Sequence, residues 1–319
     1  MCPVRALVTG SAGFVGRHMV AELVARGWDV AGVDLRQWSP VAPPTAAGAG
    51  RYAHATGDML DGVRLPGVDT FDLVAHCAYH VGGRAGIDGE PRNLAHNLQL
   101  DAAMFEWAVR TGQRRVLYFS SSAAYPTVLQ TGHPPRQLAE DDLDLWGVRP
   151  DARYGWAKVT GEHLAQAAAE SGLPVHVVRP FSGYGENQDD CYPFPAIVRR
   201  ALAGDFTVWG PPGQCRDWIH ISDVVRGALA VVDADERRPV NLCSGSPVEF
   251  GVLALRVAEL AALVSPDRPW PDVEYREDRP TGVMYRVGDP ARMREHYTPA
   301  VPLDEGIRRA IEHVRGGPA

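Results

Sequence analysis

The chain has 319 residues, enough for one large hydrophobic core or two modest ones. Hydrophobic residues make up 45% and charged residues 22%, the profile of a soluble globular protein. A net charge of −7 argues against nucleic-acid binding, which needs a basic face, but leaves room for an anionic small substrate held by local arginines.

The opening "MCPVRALVTGSAGF" has no long apolar run before its first glycines and reads as a strand, "RALVTG", not as a signal peptide. Phe14 to Arg26 has a helical pattern, and "DVAGVD" is a second strand. The Pro/Ala/Gly-rich Pro40–Gly50 reads as a surface loop. A third strand ends just before "GDML". "FDLVAHCA" and "RRVLYFS" are further strands, separated by a helix from about Pro91 to Thr111. A helix from Asp151 to about Ser171 leads into the strand "PVHVVRP". This alternation, with strands that are nearly continuous apolar runs, predicts an α/β fold: a Rossmann-type doubly wound parallel sheet with helices on both faces.

After Pro180 the pattern breaks up. Tyr192–Gly204 and Ser222–Asp233 look helical, the second with Ser222 as N-cap; "PVNLCSG" is a strand, and Leu303 to about Arg315 the last helix. Residues 1–180 therefore read as a dinucleotide-binding domain, and 181–319 mainly as a smaller α/β, loop-rich substrate domain, with 217–245 returning to the first. The five cysteines are widely spaced without a CxxC pair, so neither a metal site nor a disulfide framework is expected, and a reducing cytoplasm is the simplest setting. No stretch approaches the roughly 18 apolar residues of a membrane span.

"VTGSAGFVG" places Gly10, Gly13 and Gly16 between the first strand and first helix. There they permit a tight turn, close approach of a pyrophosphate to the helix N-terminus, and close helix–sheet packing. A glycine triplet alone also marks ordinary turns; its place at this junction favours dinucleotide binding. Asp34, at the end of the second strand, suits adenosine ribose hydroxyls and repels a 2′-phosphate, which favours NAD, although Arg36 close by suits a phosphate. Asp58 is a candidate for the adenine amino group.

Lys158 is the only lysine beside 31 arginines. It follows Tyr154 by four residues on a predicted helix, so both side chains leave one face. With 10 tyrosines in 319 residues, chance gives that spacing in about 3 cases of 100. A tyrosine with a pKa near 10 is a poor base at neutral pH, and a nearby ammonium stabilises its phenolate. A compact lysine head also suits ribose hydroxyls in a way that planar arginine does not. "YFSSSAAYP" offers Ser120, Ser121 and Ser122 at a strand end to hold a substrate oxygen.

Together these pieces resemble the extended short-chain dehydrogenase/reductases, in particular the NAD-dependent nucleotide-sugar epimerase/dehydratase group. "TGSAGFVG" is similar to that group's cofactor turn, "YGWAK" to its YxxxK pair, and "RPFSGYGENQ", "RDWIHISDVV", "VNLCSGSPV" and "EDRPTGV" to its later landmarks. The resemblance implies that Tyr154 is the acid/base, Lys158 its pKa-setter and ribose ligand, and Ser121 the active hydroxyl. It implies NAD contacts at Gly10, Ala12, Gly13, Phe14, Gly16, Asp34, Leu35, Asp58, Met59 and Ala78, besides Tyr154 and Lys158. For a nucleotide diphosphate sugar it implies contacts at His80, Val81, Ser121, Ser122, Ser182 and Val208, with Arg216 and Arg279 on the diphosphate. Asn97 matches an asparagine commonly present before the serine strand. A homodimer through the Pro91–Thr111 and Asp151–Ser171 helices is also implied.

The departures narrow the chemistry. The 4,6-dehydratases carry Asp-Glu where Ser122 and Ala123 stand. Decarboxylases of UDP-glucuronate usually carry Glu at the Ala123 position. The loop His80–Pro91 is similar to that of GDP-sugar 3,5-epimerases and GDP-fucose synthases, which place an acid/base Cys at the Ala123 position. Ser182 stands at the family's phosphate-binding Asn. The expected activity is therefore 4-epimerisation of a nucleotide sugar through a transient 4-keto sugar. A 4-keto-sugar reductase is the nearest alternative. A dehydratase, decarboxylase or 3,5-epimerase using Cys191 or His80, and a non-catalytic dinucleotide sensor, stand behind it.

Overall fold

The computed structural model describes residues 4–37, 50–60, 70–82, 91–131, 135–265, 267–279 and 281–316. The apolar runs become seven parallel strands: β1 (Arg5–Thr9), β2 (Asp29–Asp34), β3 (Tyr52–Thr56), β4 (Leu73–His76), β5 (Val116–Phe119), β6 (Val175–Pro180) and β10 (Val240–Leu242). Their order is β10-β6-β5-β4-β1-β2-β3. Successive residues of a strand face opposite sides. Thus Ala6 and Val8 of β1 and Leu117 and Phe119 of β5 enter one packing layer, while Leu7, Val116 and Tyr118 enter the other. Helices α1 (Phe14–Ala25) and α5 (Ile221–Asp233) cover the first face; α2 (Pro91–Arg110) and α3 (Ala152–Glu170) cover the second.

The chain runs outward in one direction from β1 and in the other from β4. Between these neighbours lies the switch point, where a doubly wound sheet opens its crevice at the carboxyl ends of the strands. The turn after β1, Asp34 ending β2, residues 77–82 after β4 and the serines after β5 all emerge on that edge.

A second packing centre gathers Tyr184, Phe194, Trp218, Phe250 and Ile307 under α4 (Pro193–Leu202), α6 (Phe250–Leu260) and α7 (Leu303–Arg315). Its strands are β7 (Ser182–Tyr184), β9 (Cys215–His220), β11 (Pro247–Glu249) and β13 (Tyr285–Arg286), with a separate pair formed by β8 (Thr207–Trp209) and β12 (Glu274–Arg276). This part holds more regular structure than its Pro/Gly content suggests. Within 217–245, β10 joins the main sheet, whereas the β9 residues belong to the smaller one. Ser222 does not cap α5. His220 holds that place, its Nδ1 accepting from the Ser222 N–H at 3.3 Å, and Ser222 lies in the first turn. The Pro40–Gly50 loop, apart from Gly50, lies outside the described residues.

A buried polar network ties the serine edge to β6. Glu162 on α3 accepts from Arg179 Nε (2.9 Å) and Nη2 (2.7 Å) and from the Ser120 hydroxyl. Arg179 also donates to the Tyr125 hydroxyl at 3.1 Å, and Tyr125 donates to Asn241 Oδ1 at 2.6 Å. Removing one partner of such a pair strands the other charge in the core. Glu162→Gln should therefore lower unfolding stability by about 3–5 kcal/mol, read as a reduced urea midpoint at unchanged slope. An unmoved midpoint would show that the pair does not hold this edge.

Candidate active site

The glycine turn is shaped by contact. Gly10 has φ +65°, and a Cβ there would lie 2.7 Å from the Ala78 backbone beyond β4. A Cβ on Gly16 would lie 2.0 Å from the Gly10 carbonyl, so α1 can start this close to the turn only without one. Gly13 caps α1 with no side chain and no acidic residue follows in the first turn, which leaves the positive helix end open to an anion. Ala12 is buried, Phe14 packs on the α1 side of the core, and Leu35 is exposed.

Asp34 and Arg36 act as a unit. The Asp34 carboxylate accepts from the Ala12 N–H (3.0 Å), from the Arg36 N–H (2.9 Å) and from Arg36 Nε (3.3 Å). Arg36 therefore reaches back over the glycine turn, with Nη2 3.5 Å from where a Gly13 Cβ would stand. Asp58 closes its own turn by accepting from the Leu60 N–H at 2.9 Å, and Met59 packs against the core. This cradle of glycines, bare helix end and strand-end carboxylate fits a dinucleotide.

The serine edge meets α3 next to it. Ser121 Oγ accepts from the Ala123 N–H at 3.1 Å, and Ser121 lies close enough to the Tyr154 phenol to favour its ionised form. Ser122 and Ala123 are buried. Burial pushes the Tyr154 phenol up to about 12; the nearby Ser121 hydroxyl and the Arg286 guanidinium pull the other way. Lys158 is 4% exposed, and its Nζ donates to the Phe119 carbonyl at 2.7 Å. Burial pulls its ammonium down to about 8, against the raising influence of Asp101.

Beneath the pair, Asp101 on α2 accepts from the Tyr118 hydroxyl at 2.7 Å and lies 3.1 Å from His76 Nε2. His76 Nδ1 in turn meets the Thr9 hydroxyl at 2.8 Å, which links the lysine's floor to β1. Asn97 fixes the exit of β4, its Oδ1 accepting from the His80 N–H (2.7 Å) and its Nδ2 donating to the His80 carbonyl (3.0 Å).

The substrate candidates divide. The His80 ring packs on His96 at 4.6 Å and feels the charges of Asp58 and Asp34, which puts it on the cofactor side of the cleft. Val81 is partly exposed beside it. The Val208 side chain is 1% exposed within the smaller core, so it offers no surface to a ligand. Ser182 is half-buried on β7, opposite Trp218. Arg216 lies over the Phe250 ring at 5.2 Å and is in register with Arg286 on β13. Arg279 is exposed, 5.5 Å from the centroid of the exposed Trp209.

Three neighbours of the pair carry no sequence signal of their own. Arg286 donates to Asp151 (2.8 Å) and Gln130 (2.6 Å) and acts on Tyr154. Tyr192, just before α4, comes close enough for Tyr154 to affect its ionisation. Tyr79 packs its ring edgewise on Tyr154 at 5.8 Å. For the cradle, Asp34→Asn should weaken NAD binding about tenfold and narrow the preference over NADP, because the carboxylate that repels a 2′-phosphate is gone. Titrations of both nucleotides by protein fluorescence check this, and an unchanged ratio would remove Asp34 from cofactor choice.

The chain is similar to proteins that bind NAD and nucleotide sugars. The solved structure of MoeE5 in complex with UDP-glucose and NAD is 30% identical, with a TM-score of 0.81 over 98% of this chain and 99% of that one. A dTDP-4-dehydro-6-deoxy-D-allose reductase of Streptomyces bikiniensis is 30% identical over 97% of this chain and 95% of its own. A UDP-glucose 4-epimerase of Mycolicibacterium smegmatis is 27% identical over 98% and 99%. Residues 6–243 match the sequence model of the NAD dependent epimerase/dehydratase family. That match spans well over half of its length, and the chain belongs to the NAD dependent epimerase/dehydratase family of enzymes.

Proposed function

We propose that this enzyme is a nucleotide-sugar 4-epimerase. The reading rests on one observation: Ser121, Tyr154 and Lys158 share the cleft edge, while the neighbouring place that elimination or C3/C5 chemistry would use holds a buried alanine, Ala123. Ser121 would hold the C4 oxygen while Tyr154 removes, and later returns, the hydroxyl proton. Bound NAD supplies the hydride acceptor and donor. Burial, with Asp101 adding to it, keeps the Tyr154 phenol protonated, so proton removal calls for positive charge; Arg286 brings it, and the Lys158 ammonium stands 5.9 Å from the ring centroid. Arg216 and Arg279 suit the diphosphate, and the 4-keto sugar would turn over between two faces of reduction.

Other proton carriers are poorly suited. Burial and then Asp189 hold the Cys191 thiol up at about 11, so little thiolate exists at neutral pH. His80 sits toward Asp58. The likeness to a 4-keto-sugar reductase supports a second reading, in which the same pair serves net reduction of a 4-keto sugar. We further propose a cytoplasmic homodimer through the outer faces of α2 and α3, where Val109 and Trp156 are exposed.

Tyr154→Phe should lower turnover of the accepted nucleotide sugar by about 10²–10⁴-fold. Wild-type kcat/KM should fall on the alkaline side, as the Lys158 ammonium loses its proton. A screen of UDP-, GDP-, dTDP- and CDP-sugars with product analysis reads both. Unchanged turnover in the variant would remove Tyr154 from the chemistry.

A further inference from the structure

Tyr79 leaves the end of β4 and lies against Lys158. The lysine Nζ is 3.2 Å from the centroid of the Tyr79 ring, against 5.1 Å for Tyr118 and 5.9 Å for Tyr154. The Tyr79 ring also meets the Tyr154 ring at 84°, with centroids 5.8 Å apart. Its buried hydroxyl lies on the side of Tyr118 and Asp101, and it is the ring face that meets the ammonium. No carboxylate among the described residues lies within ion-pair distance of Lys158. The two nearest in effect are engaged elsewhere, Asp101 with His76 and Tyr118, and Glu162 with Arg179 and Ser120.

We propose that Tyr79 is a positioning residue of the tyrosine–lysine pair, its ring face holding the Lys158 ammonium where a carboxylate would otherwise stand. The physical distinction matters. A paired carboxylate would fix the ammonium and cancel its field. An aromatic face attracts a cation through its quadrupole and carries no net charge, so the field stays available to the phenol and to a ligand. One ammonium proton goes to the Phe119 carbonyl, and the ring face takes the side toward Tyr79. The remaining groups that face Lys158 are Asp101 from α2, Glu162 and Tyr154 from α3, Tyr118 from β5 and the Cys77 thiol after β4. This inference deepens the acid–base reading of Tyr154 and Lys158 and rests on it for its functional meaning.

The sole lysine gives a test that needs no turnover. Full-length protein labelled with ¹³Cε-lysine carries a single lysine signal, that of Lys158. In the wild type the ε-methylene protons should resonate upfield of an exposed lysine, because the ring current of Tyr79 shields them. Tyr79→Phe should keep that shift and the lysine pKa. Tyr79→Leu keeps the burial but removes the face, so the shift should be lost and the pKa should fall by about one unit. Ordinary wild-type methylene shifts would overturn the proposal, as would a leucine variant with an unmoved pKa or a phenylalanine variant displaced as far as leucine. If the leucine variant fails to fold, nuclear Overhauser contacts from the Lys158 ε-methylene to the Tyr79 ring protons decide the matter, and their absence overturns the proposal. A protein that passes this test but turns over no nucleotide sugar would refute the epimerase reading alone.

Discussion

A single buried ammonium organises this cleft. Lys158 has almost no water, so burial drives it toward neutrality, and its charge survives through the Phe119 carbonyl, the Tyr79 face and the more distant Asp101. Each of those supports comes from a different element: β5, the exit of β4, and α2. The lysine therefore has its proper place only when the sheet and both helices on that face are assembled. The hydrogen-bonded path from Asp101 through His76 and Thr9 then reaches β1, whose far end is the glycine turn.

The sheet's switch point explains why cofactor and acid–base groups meet. Strands on either side of β1 and β4 diverge, and their carboxyl ends supply the turn, Asp34, Tyr79 and Ser121 to one crevice. Arg216 and Arg279, the arginines proposed for the substrate diphosphate, lie on or beside short strands of another packing centre. Such a division lets one redox apparatus serve many outcomes, in keeping with relatives that are reductases and epimerases at similar identity.

Much of this was legible in the sequence because the signals are local. Doubly buried strands show as unbroken apolar runs, and the glycine turn, Asp34 and the Tyr154–Lys158 spacing each lie within one short segment. Helix α6 escaped because "FGVLALRVAEL" is apolar around much of its circumference and begins without a side-chain cap; its first N–H goes to the Gln214 carbonyl instead. Ser222 misled because a serine near a helix start is usually the cap, and here His220 takes that role through its ring. Tyr79, Tyr192 and Arg286 were invisible for a different reason. Their importance lies in contacts with Tyr154 and Lys158 from distant parts of the chain, and no local spacing records such contacts.

The proposed reaction oxidises and then re-reduces one carbon, C4, within the same cleft. Its most direct test is incubation of the purified enzyme, with no added cofactor, with UDP-glucose and UDP-glucuronic acid deuterated at C4. An inverted C4 product that keeps its deuterium, formed by protein that retains NAD, is the expected result. Inversion with loss of deuterium to solvent, or turnover that requires one equivalent of added NADH or NADPH, would contradict it.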